Sequence, residues 1–337
     1  IPPIWRIFML KYKSLLKKYD NNIVVNNLNI EIKEKDIIGF LGPNGAGKTT
    51  TIKMSCGLIT PTSGDIECCG YSLRNNRKQY LKNIGAVLEG NRNIYWKLSP
   101  TENIEYFAGI KGIGRKKIKS QIDEYIEMFD LKEKINTECG KLSRGMQQKV
   151  AICCSLIHNP KVLFLDEPTL GLDVQSVFLI RDIIKKLNKE NRAIIITSHD
   201  LNFISSLCNK IVIINNGIKE LDEDINFLNN YSENVVYIIK TSKINESIEK
   251  LLKETFSVKI ERLEDKSVLK VILNKDEEIY DFFNCLKLNE RSINNIYKKE
   301  IELEDIFISI INNKRNEFCI KNSDTKTSGM EVRHGNN

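Results

Sequence analysis

The sequence predicts an α/β fold with a smaller α+β domain behind it. From Met9 to about Leu221, short β-branched runs alternate with longer stretches of helical periodicity, as in a sheet whose strands are joined by helical crossovers. After about Asn230 the predicted order is strand, helix, strand, strand, helix, strand, which is the order of a ferredoxin-like domain. A chain of 337 residues is long enough for two domains of these kinds.

The first domain is predicted to contain a set of short strands and an inserted helical segment. The strands are Ile37–Leu41, Ile84–Leu88, Val162–Leu165, Ala193–Thr197 and Lys210–Ile214. Between Asn91 and Asn159 the strand pattern stops, and helical periodicity predicts helices at Glu102–Ile110, Ile118–Phe129 and Gly145–His158. We therefore expect a helical subdomain at about 91–159 within an α/β domain that spans residues 9–225.

The second domain is predicted to span residues 230–313. Its strands are Val235–Ile239, Val258–Arg262, Val268–Leu273 and Ile293–Lys298, and its helices are Ile244–Lys253, Glu277–Leu286 and Leu303–Ile311. The polar tail at 314–337 holds few apolar residues, and we expect it to be disordered. Residues 1–8 precede Met9, and we expect them to lie upstream of the natural start.

The composition favours a protein of a reducing compartment that does not itself cross a membrane. Lys and Arg number 51 against 44 Asp and Glu, and this net charge of +7 is spread along the chain, which is weak evidence for a nucleic-acid partner. The nine cysteines are odd in number and lack a C-x-x-C spacing, as expected for reduced core residues of a cytosolic protein. No segment approaches the roughly 20 apolar residues that span a bilayer. The densest basic stretch, Lys111 to Lys119, is interpreted as a solvated helix face or as a surface near anionic lipid.

A glycine-rich loop follows the first predicted strand. The nucleotide-binding pattern G-x-x-x-x-G-K-[ST] is present as Gly42-Pro43-Asn44-Gly45-Ala46-Gly47-Lys48-Thr49, with Thr50 behind it. The glycines let successive N–H groups face the phosphates, and the next helix adds the positive end of its dipole. Lys48 can then bridge the β- and γ-phosphates, and the Thr49 hydroxyl can coordinate Mg²⁺. The alternative is a glycine turn before a helix, without a ligand.

A pair of carboxylates follows another predicted strand. The run Val162–Leu165 leads directly into Asp166 and Glu167. Since neighbouring residues at a strand end point to opposite sides, Asp166 can reach the Mg²⁺ shell while Glu167 faces a water in line with the γ-phosphate. There Glu167 can orient the water or accept its proton. The alternative is an ordinary strand end with two acidic side chains in solvent.

Three further motifs connect these two sites to a known family. The segment Lys141-Leu142-Ser143-Arg144-Gly145-Met146-Gln147-Gln148 resembles the signature motif of ATP-binding cassette (ABC) ATPases. Gly171-Leu172-Asp173 and Thr197-Ser198-His199-Asp200 resemble the loop and the switch histidine that follow in that family. The order of all five motifs matches, so residues 9–225 resemble the P-loop NTPase core of an ABC ATPase with its helical insertion.

The resemblance implies ATP and Mg²⁺ as cofactors and a role for each motif residue. Tyr19, ahead of the first predicted strand, would stack on adenine, unless it is a plain core tyrosine. Ser143 and Gly145, at a predicted helix start, would bind the γ-phosphate of an ATP held by a second subunit, with Asp173 at the shared interface. His199 would contact the γ-phosphate, unless it is a surface residue at a strand end. Neither ATP site would be complete in a monomer, so a homodimer is expected.

The chain departs from the family pattern at two places. Glu89 stands where many of these ATPases carry glutamine. A carboxylate can still ligate Mg²⁺, but it adds negative charge near the phosphates and cannot donate a hydrogen bond. In the signature, Arg144 and Met146 replace the usual glycine and glutamine. Arg144 could add a cation near the γ-phosphate or point to solvent.

The segment 88–100, the signature and the appended C-terminal domain are similar to those of bacterial drug-resistance-type exporter ATPases. This implies a subunit on the cytoplasmic face of the cell membrane, with the permease on a separate chain. Tyr95, Trp96 and Phe107 would line the groove for the permease, or they belong to the core of the helical insertion. An importer ATPase and a soluble ABC ATPase acting on ribosomes or DNA are the alternatives. No nucleic-acid partner is expected.

Overall fold

The computed structural model describes residues 8–90, 93–226, 235–244, 246–263, 266–273, 277–287, 293–299 and 303–311. The chain divides into two compact units between Ile225 and Asn226. The expected upstream extension, apart from residue 8, and the expected disordered tail at 314–337 lie outside the described residues.

A six-stranded sheet forms the centre of the first unit. Its strands lie in the order β10 (Ile218–Asp224), β9 (Lys210–Asn215), β3 (Ile37–Leu41), β8 (Ala193–Thr197), β7 (Val162–Asp166) and β6 (Ile84–Val87). All neighbouring pairs are parallel except β9 and β10. Every residue of β3, β7 and β8 is buried, as expected for apolar strands covered on both faces. The five strands predicted for this domain are confirmed, and β3 and β8 have the predicted bounds.

A second, antiparallel sheet packs into the same hydrophobic core, and the sequence did not predict it. Its strands are β1 (Leu10–Tyr19), β2 (Asn22–Ile32), β4 (Ser63–Cys68) and β5 (Tyr71–Ser72), in the order β2-β1-β4-β5. The expectation that Tyr19 precedes the first strand is wrong, since Tyr19 is the last residue of β1. The period-2 pattern of β1 and β2 is broken by irregular pairing and by left-handed residues at Ser14 (φ 46°) and Asn27 (φ 47°).

The helical insertion contains α3 (Pro100–Ile110), α4 (Arg115–Met128) and α5 (Arg144–Leu156), close to the predicted bounds. The other helices of this unit are α1 (Lys48–Ser55), α2 (Arg77–Lys82), α6 (Val174–Lys189) and α7 (Leu201–Leu207). A capping box between Ser99 and Glu102 starts α3, where Pro100 occupies the first turn. In the described part of the chain, every helix is too short or too polar to cross a bilayer.

The second unit has the predicted element order. Its elements are β11 (Val235–Ser242), α8 (Glu246–Thr255), β12 (Ser257–Arg262), β13 (Lys266–Leu273), α9 (Glu278–Lys287), β14 (Ile293–Lys299) and α10 (Leu303–Ile311). The strands form an antiparallel sheet in the order β12-β13-β11-β14. Phe282 is fully buried and packs edge-on against Phe256, with ring centroids 5.1 Å apart.

His158 ties the end of the helix α5 to the strand β6. Its Nε2 lies 2.9 Å from the Ile84 carbonyl oxygen and therefore donates, while Nδ1 is buried with no hydrogen-bond partner in the described part of the chain. Burial, together with the positive charge of Lys111, lowers the pKa of His158 to about 4. The folded protein therefore holds this imidazole neutral at pH values where an unfolded histidine is protonated.

We expect His158 to contribute stability above about pH 6.5 that is lost as the pH falls towards 4, because only the unfolded chain binds the proton in that range. The resulting decrease in the free energy of unfolding is about 3 kcal/mol at most. Denaturant unfolding of the wild type and of His158→Gln between pH 4 and 7 measures it. Asn75→Gln, at an exposed residue whose side chain does not titrate, is the control and should keep the wild-type slope. Equal pH slopes for wild type and His158→Gln would contradict the assignment.

Candidate functional site

The glycine-rich loop connects the end of β3 to the start of α1. Gly47 has φ 102°, and a Cβ placed on it would lie 2.6 Å from the Val24 carbonyl oxygen. A Cβ on Gly42 would collide with the Ile214 carbonyl oxygen. These two positions therefore require glycine, one for backbone conformation and space and the other for space alone. The loop is packed closely against β2 and β9.

Lys48 is the first residue of α1, and its side chain folds back over the loop. Its Nζ donates to the carbonyl oxygens of Gly42 at 2.5 Å and Pro43 at 3.1 Å. Burial lowers the pKa of Lys48, while the nearby carboxylates of Glu167, Asp166 and Glu89 act in the opposite direction. The positive charge of Lys48 is thus held against the glycine-rich loop, where the glycines leave the backbone uncovered by side chains.

Asp166 ends β7 and is buried. Its Oδ1 accepts a 2.6 Å hydrogen bond from the hydroxyl of Thr197, the residue paired with it across β7 and β8. Its Oδ2 is buried and has no hydrogen-bond partner among the described residues. An unpartnered buried carboxylate oxygen is costly unless a cation or a polar ligand meets it. Thr197 was not among the predicted site residues, although its place just before Ser198 and His199 was a usable signal.

Glu167 diverges from Asp166 because of a left-handed turn. The expectation that the two carboxylates alternate along a strand end is wrong, since β7 stops at Asp166 and Glu167 has φ 52°. The Glu167 amide donates to the Thr197 hydroxyl at 3.1 Å, and Glu167 Oε2 accepts from the His199 amide at 3.3 Å. The His199 ring nitrogen Nε2 lies 3.5 Å from Glu167 Oε1. Burial raises the pKa of Glu167, and His199 opposes that effect.

One pocket brings most of the predicted residues together. It is lined by Val24, Pro43, Asn44, Gly45, Ala46, Gly47, Lys48, Thr49, Thr50, Glu89, Asp166, Glu167 and His199. Val24 was not predicted, because nothing in the sequence distinguishes it from other valines. Tyr19 and Gly42 do not line this pocket. Tyr19 is 44% exposed, and the ammonium of Lys17 lies 4.6 Å from its ring centroid.

The signature residues form a second cluster with the Gly171-Leu172-Asp173 loop. Ser143 caps α5 by accepting from the Met146 amide at 3.3 Å. Asp173 caps α6 by accepting from the Ser176 amide at 2.9 Å, and this bond lowers the pKa of Asp173. A Cβ on Gly145 would lie 2.6 Å from Ser176 Oγ, so the two helix starts touch.

Arg144 combines features of the two alternatives that the sequence left open, a side chain in solvent and a cation near the γ-phosphate. The side chain is exposed, but its guanidinium rests against Gly171 of the same chain. It also lines a pocket that Glu89, Asp166, Glu167 and other residues share. The described part of the chain therefore shows Arg144 joining the signature to the Gly171 loop.

These features define a P-loop nucleotide hydrolase. At one edge of a parallel sheet they combine the glycine loop with its lysine, the buried aspartate, the adjacent glutamate and the histidine. The helical insertion that carries the capped signature helix places it among the ABC ATPases.

Comparison with known proteins agrees with this class. The family model described as ABC transporter matches residues 25–170. The chain is 36% identical over 311 residues to the bacitracin transport ATP-binding protein BcrA of Bacillus licheniformis, covering 90% of this chain and 97% of the relative. It is 33% identical over 211 residues to Nod factor export ATP-binding protein I of Cupriavidus metallidurans, covering 63% of this chain and 69% of the relative.

A solved structure shows the same fold in a dimer. The post-hydrolysis state of the ATP-binding cassette MJ0796, bound to ADP and Pi, superposes with a TM-score of 0.58 at 27% identity. The match covers 64% of this chain and 99% of that one. The chain belongs to the ABC transporter family: it is the ATP-binding subunit of a transporter and an ATP hydrolase.

Gly47→Ala should weaken ATP binding by about 5- to 150-fold, because a Cβ at φ 102° costs of order 1–3 kcal/mol in the loop. Titration with a fluorescent ATP analogue measures the affinity, and circular dichroism shows whether the variant is folded. Gly114→Ala is the matched control, since Gly114 has an ordinary φ of −71° and open space around its Cβ position. Unchanged affinity in a folded Gly47→Ala protein would contradict the close fit of the loop.

Proposed function

We propose that this chain is the peripheral ATPase subunit of a bacterial exporter, working as a head-to-tail dimer on the cytoplasmic face of the cell membrane. ATP binding closes the dimer, hydrolysis reopens it, and a permease on a separate chain carries the cargo. The proposed dimer rests on the separation of the signature from the glycine loop. Ser143 and Gly145 do not line the described pocket that contains Lys48 and Glu167. Because Ser143 and Gly145 lie outside this pocket, they can complete the pocket of a second copy.

The triphosphate binds at the glycine loop, with the adenine near Tyr19. Successive N–H groups of the loop and the start of α1 face the phosphates, and Lys48 exchanges its two loop carbonyls for phosphate oxygens. The Tyr19 ring is half-exposed, and the ammonium of Lys17 lies over one of its faces. The opposite face can stack on a base. Within one chain, the loop and the start of α1 therefore bind the phosphates, and the last residue of β1 binds the base.

The oxygen ligands near Lys48 fit Mg²⁺. The unpartnered Oδ2 of Asp166 is suited to meet a cation, and the Thr49 hydroxyl and the Glu89 carboxylate line the same pocket. Hard oxygen donors of this kind suit Mg²⁺, which in such sites neutralises phosphate charge. Thr197 holds Asp166 in place through Oδ1 and so leaves Oδ2 available.

Glu167 is the group that we assign to the attacking water. Its left-handed backbone turns it away from Asp166 and towards His199, and its raised pKa makes it a better proton acceptor than an ordinary exposed carboxylate. His199 orients Glu167 through its amide and can reach the γ-phosphate with its exposed ring. The pair therefore couples the detection of the phosphate to the activation of water.

Ser143 and Gly145 act on the ATP of the partner. The hydroxyl of Ser143 and the free N–H groups at the start of α5 form an anion site, and Asp173 lies beside it through the contact between Gly145 and Ser176. The dimer in which a related cassette was solved with ADP and Pi supports this arrangement. The second subunit is a copy of this chain.

An exposed aromatic surface on the insertion is the site that we propose for the permease. Tyr95, Trp96 and Tyr106 are 48%, 51% and 43% exposed. The rings of Tyr95 and Tyr106 contact each other edge-on, with their centroids 4.6 Å apart, and the ring of Phe107 lies beside both. Trp96 also lines the pocket next to Glu89, so movement of a docked helix would reach the ATP site. Exposed aromatic rings are typical of protein interfaces.

The relatives support transport out of the cell. One is named for bacitracin transport and another for Nod factor export. The cargo contacts belong to the permease, so these names support the direction of transport and leave the cargo of this chain open.

Glu167→Gln should lower steady-state ATPase activity by at least about 100-fold, because the amide cannot accept the proton of the attacking water. The same variant should accumulate as an ATP-bound dimer, visible by size-exclusion chromatography with Mg²⁺ and ATP. Glu124→Gln, at an exposed glutamate on α4, is the control and should match the wild type in both assays. Undiminished hydrolysis by Glu167→Gln would remove the assigned role.

A further inference from the structure

Three sulfur atoms meet at one end of the antiparallel sheet, and none of their residues lines the pocket at Lys48. The Sγ atoms of Cys68 and Cys69 lie 3.9 Å apart, and Cys69 Sγ lies 3.8 Å from the Sδ of Met9. Cys68 is fully buried, Met9 is 9% exposed, and Cys69 is partly exposed. Solvent therefore reaches the cluster from the side of Cys69.

The backbone holds these residues together. Leu10 pairs with Cys68 across β1 and β4, which places Met9 beside Cys69. The Cys69 amide donates to the Met9 carbonyl oxygen at 3.1 Å, and Cys69 has φ 50° at the turn into β5. The left-handed turn brings two consecutive cysteine side chains to the same place, where an extended strand would send them to opposite faces.

The two known sulfur–sulfur distances suit bonds to one metal ion. A metal–sulfur bond of about 2.3 Å, the length found in zinc thiolates, separates the sulfurs of a trigonal-planar site by about 4.0 Å. The two distances in the structure are 3.9 Å and 3.8 Å. Each of these two pairs of sulfurs is therefore spaced for bonds to the same ion.

The chemistry of the donors selects the kind of ion. Two thiolates and a thioether are soft ligands that favour Cu(I), whereas structural zinc takes four thiolate, imidazole or carboxylate ligands. Among the residues that the structure describes, no group of three or more His, Cys, Asp or Glu side chains is placed to hold a metal. The third donor must then be the Met9 sulfur, which zinc rarely takes.

The contact between the two thiols shifts their pKa values in opposite directions. The hydrogen bond from the Cys68 thiol lowers the pKa of Cys69, and the positive charge of Lys161 lowers it further, against the effect of burial. The pKa of Cys68 is raised by the same shared proton and by burial. Binding of an ion to both sulfurs requires that both thiols lose their protons.

We propose that Met9, Cys68 and Cys69 form a binding site for one Cu(I) ion. The ion bonds to both Cys sulfurs and to the Met9 thioether, the two thiol protons pass to solvent, and no electron is transferred. The bound unit carries one negative charge, since one cation meets two thiolates, and Lys161 offsets it.

Anaerobic titration of the reduced full-length chain with Cu(I), in competition with bicinchoninate, tests the site. One equivalent should bind tightly, and Cys69→Ser should weaken that binding at least about 100-fold. X-ray absorption at the copper edge should show three sulfur neighbours, falling to two in Met9→Leu. Cys285→Ser, at another partly exposed cysteine, is the control and should leave affinity and coordination unchanged.

Met9→Leu keeps the proposal falsifiable even where the cysteine variants fold poorly, because it preserves volume and removes only the sulfur. The proposal is overturned by a reduced chain that binds no Cu(I), by copper spectra that Met9→Leu does not change, or by binding that survives Cys69→Ser.

Discussion

The pairing of β7 with β8 is the constraint on which the rest of the ATP site depends. Asp166 and Thr197 face each other in the parallel register, and the Thr197 hydroxyl donates to Asp166 Oδ1. The Glu167 amide donates to both the hydroxyl and the carbonyl oxygen of Thr197, and these hydrogen bonds fix the left-handed turn at Glu167. One buried threonine therefore sets the positions of both the Asp166 and the Glu167 carboxylates.

The place of the carboxylates in the sheet also bears on the proposal that one chain holds half of an active site. The carboxyl ends of parallel strands meet at one edge, where ligands bind in open α/β sheets. The phosphate loop after β3 and the carboxylates after β7 share this edge, whereas Ser143 begins a helix of the insertion. The insertion thus presents its helix start and its aromatic surface outward, where we propose that a second subunit and a permease bind. Arg144, held against Gly171, links the signature to the loop next to Glu167.

The sequence predicted the parts of the fold whose signals are local. Strands β3 and β8 are unbroken apolar runs, and their bounds were predicted correctly. The antiparallel sheet was missed because β1 and β2 carry many Lys and Asn residues and are interrupted by bulges. The motifs predicted which residues gather at the pocket, but Thr197 and the left-handed Glu167 were missed, since both depend on strand pairing rather than on neighbours in sequence.

The central claim is that each ATP is hydrolysed between the loop of one subunit and the signature of the other. The most direct test mixes Lys48→Ala with Ser143→Arg after each has been shown to be inactive alone. A head-to-tail dimer of the two variants contains one intact site, so a statistical mixture should recover about a quarter of wild-type ATPase activity. A mixture that forms dimers yet stays as inactive as its components would contradict the shared site.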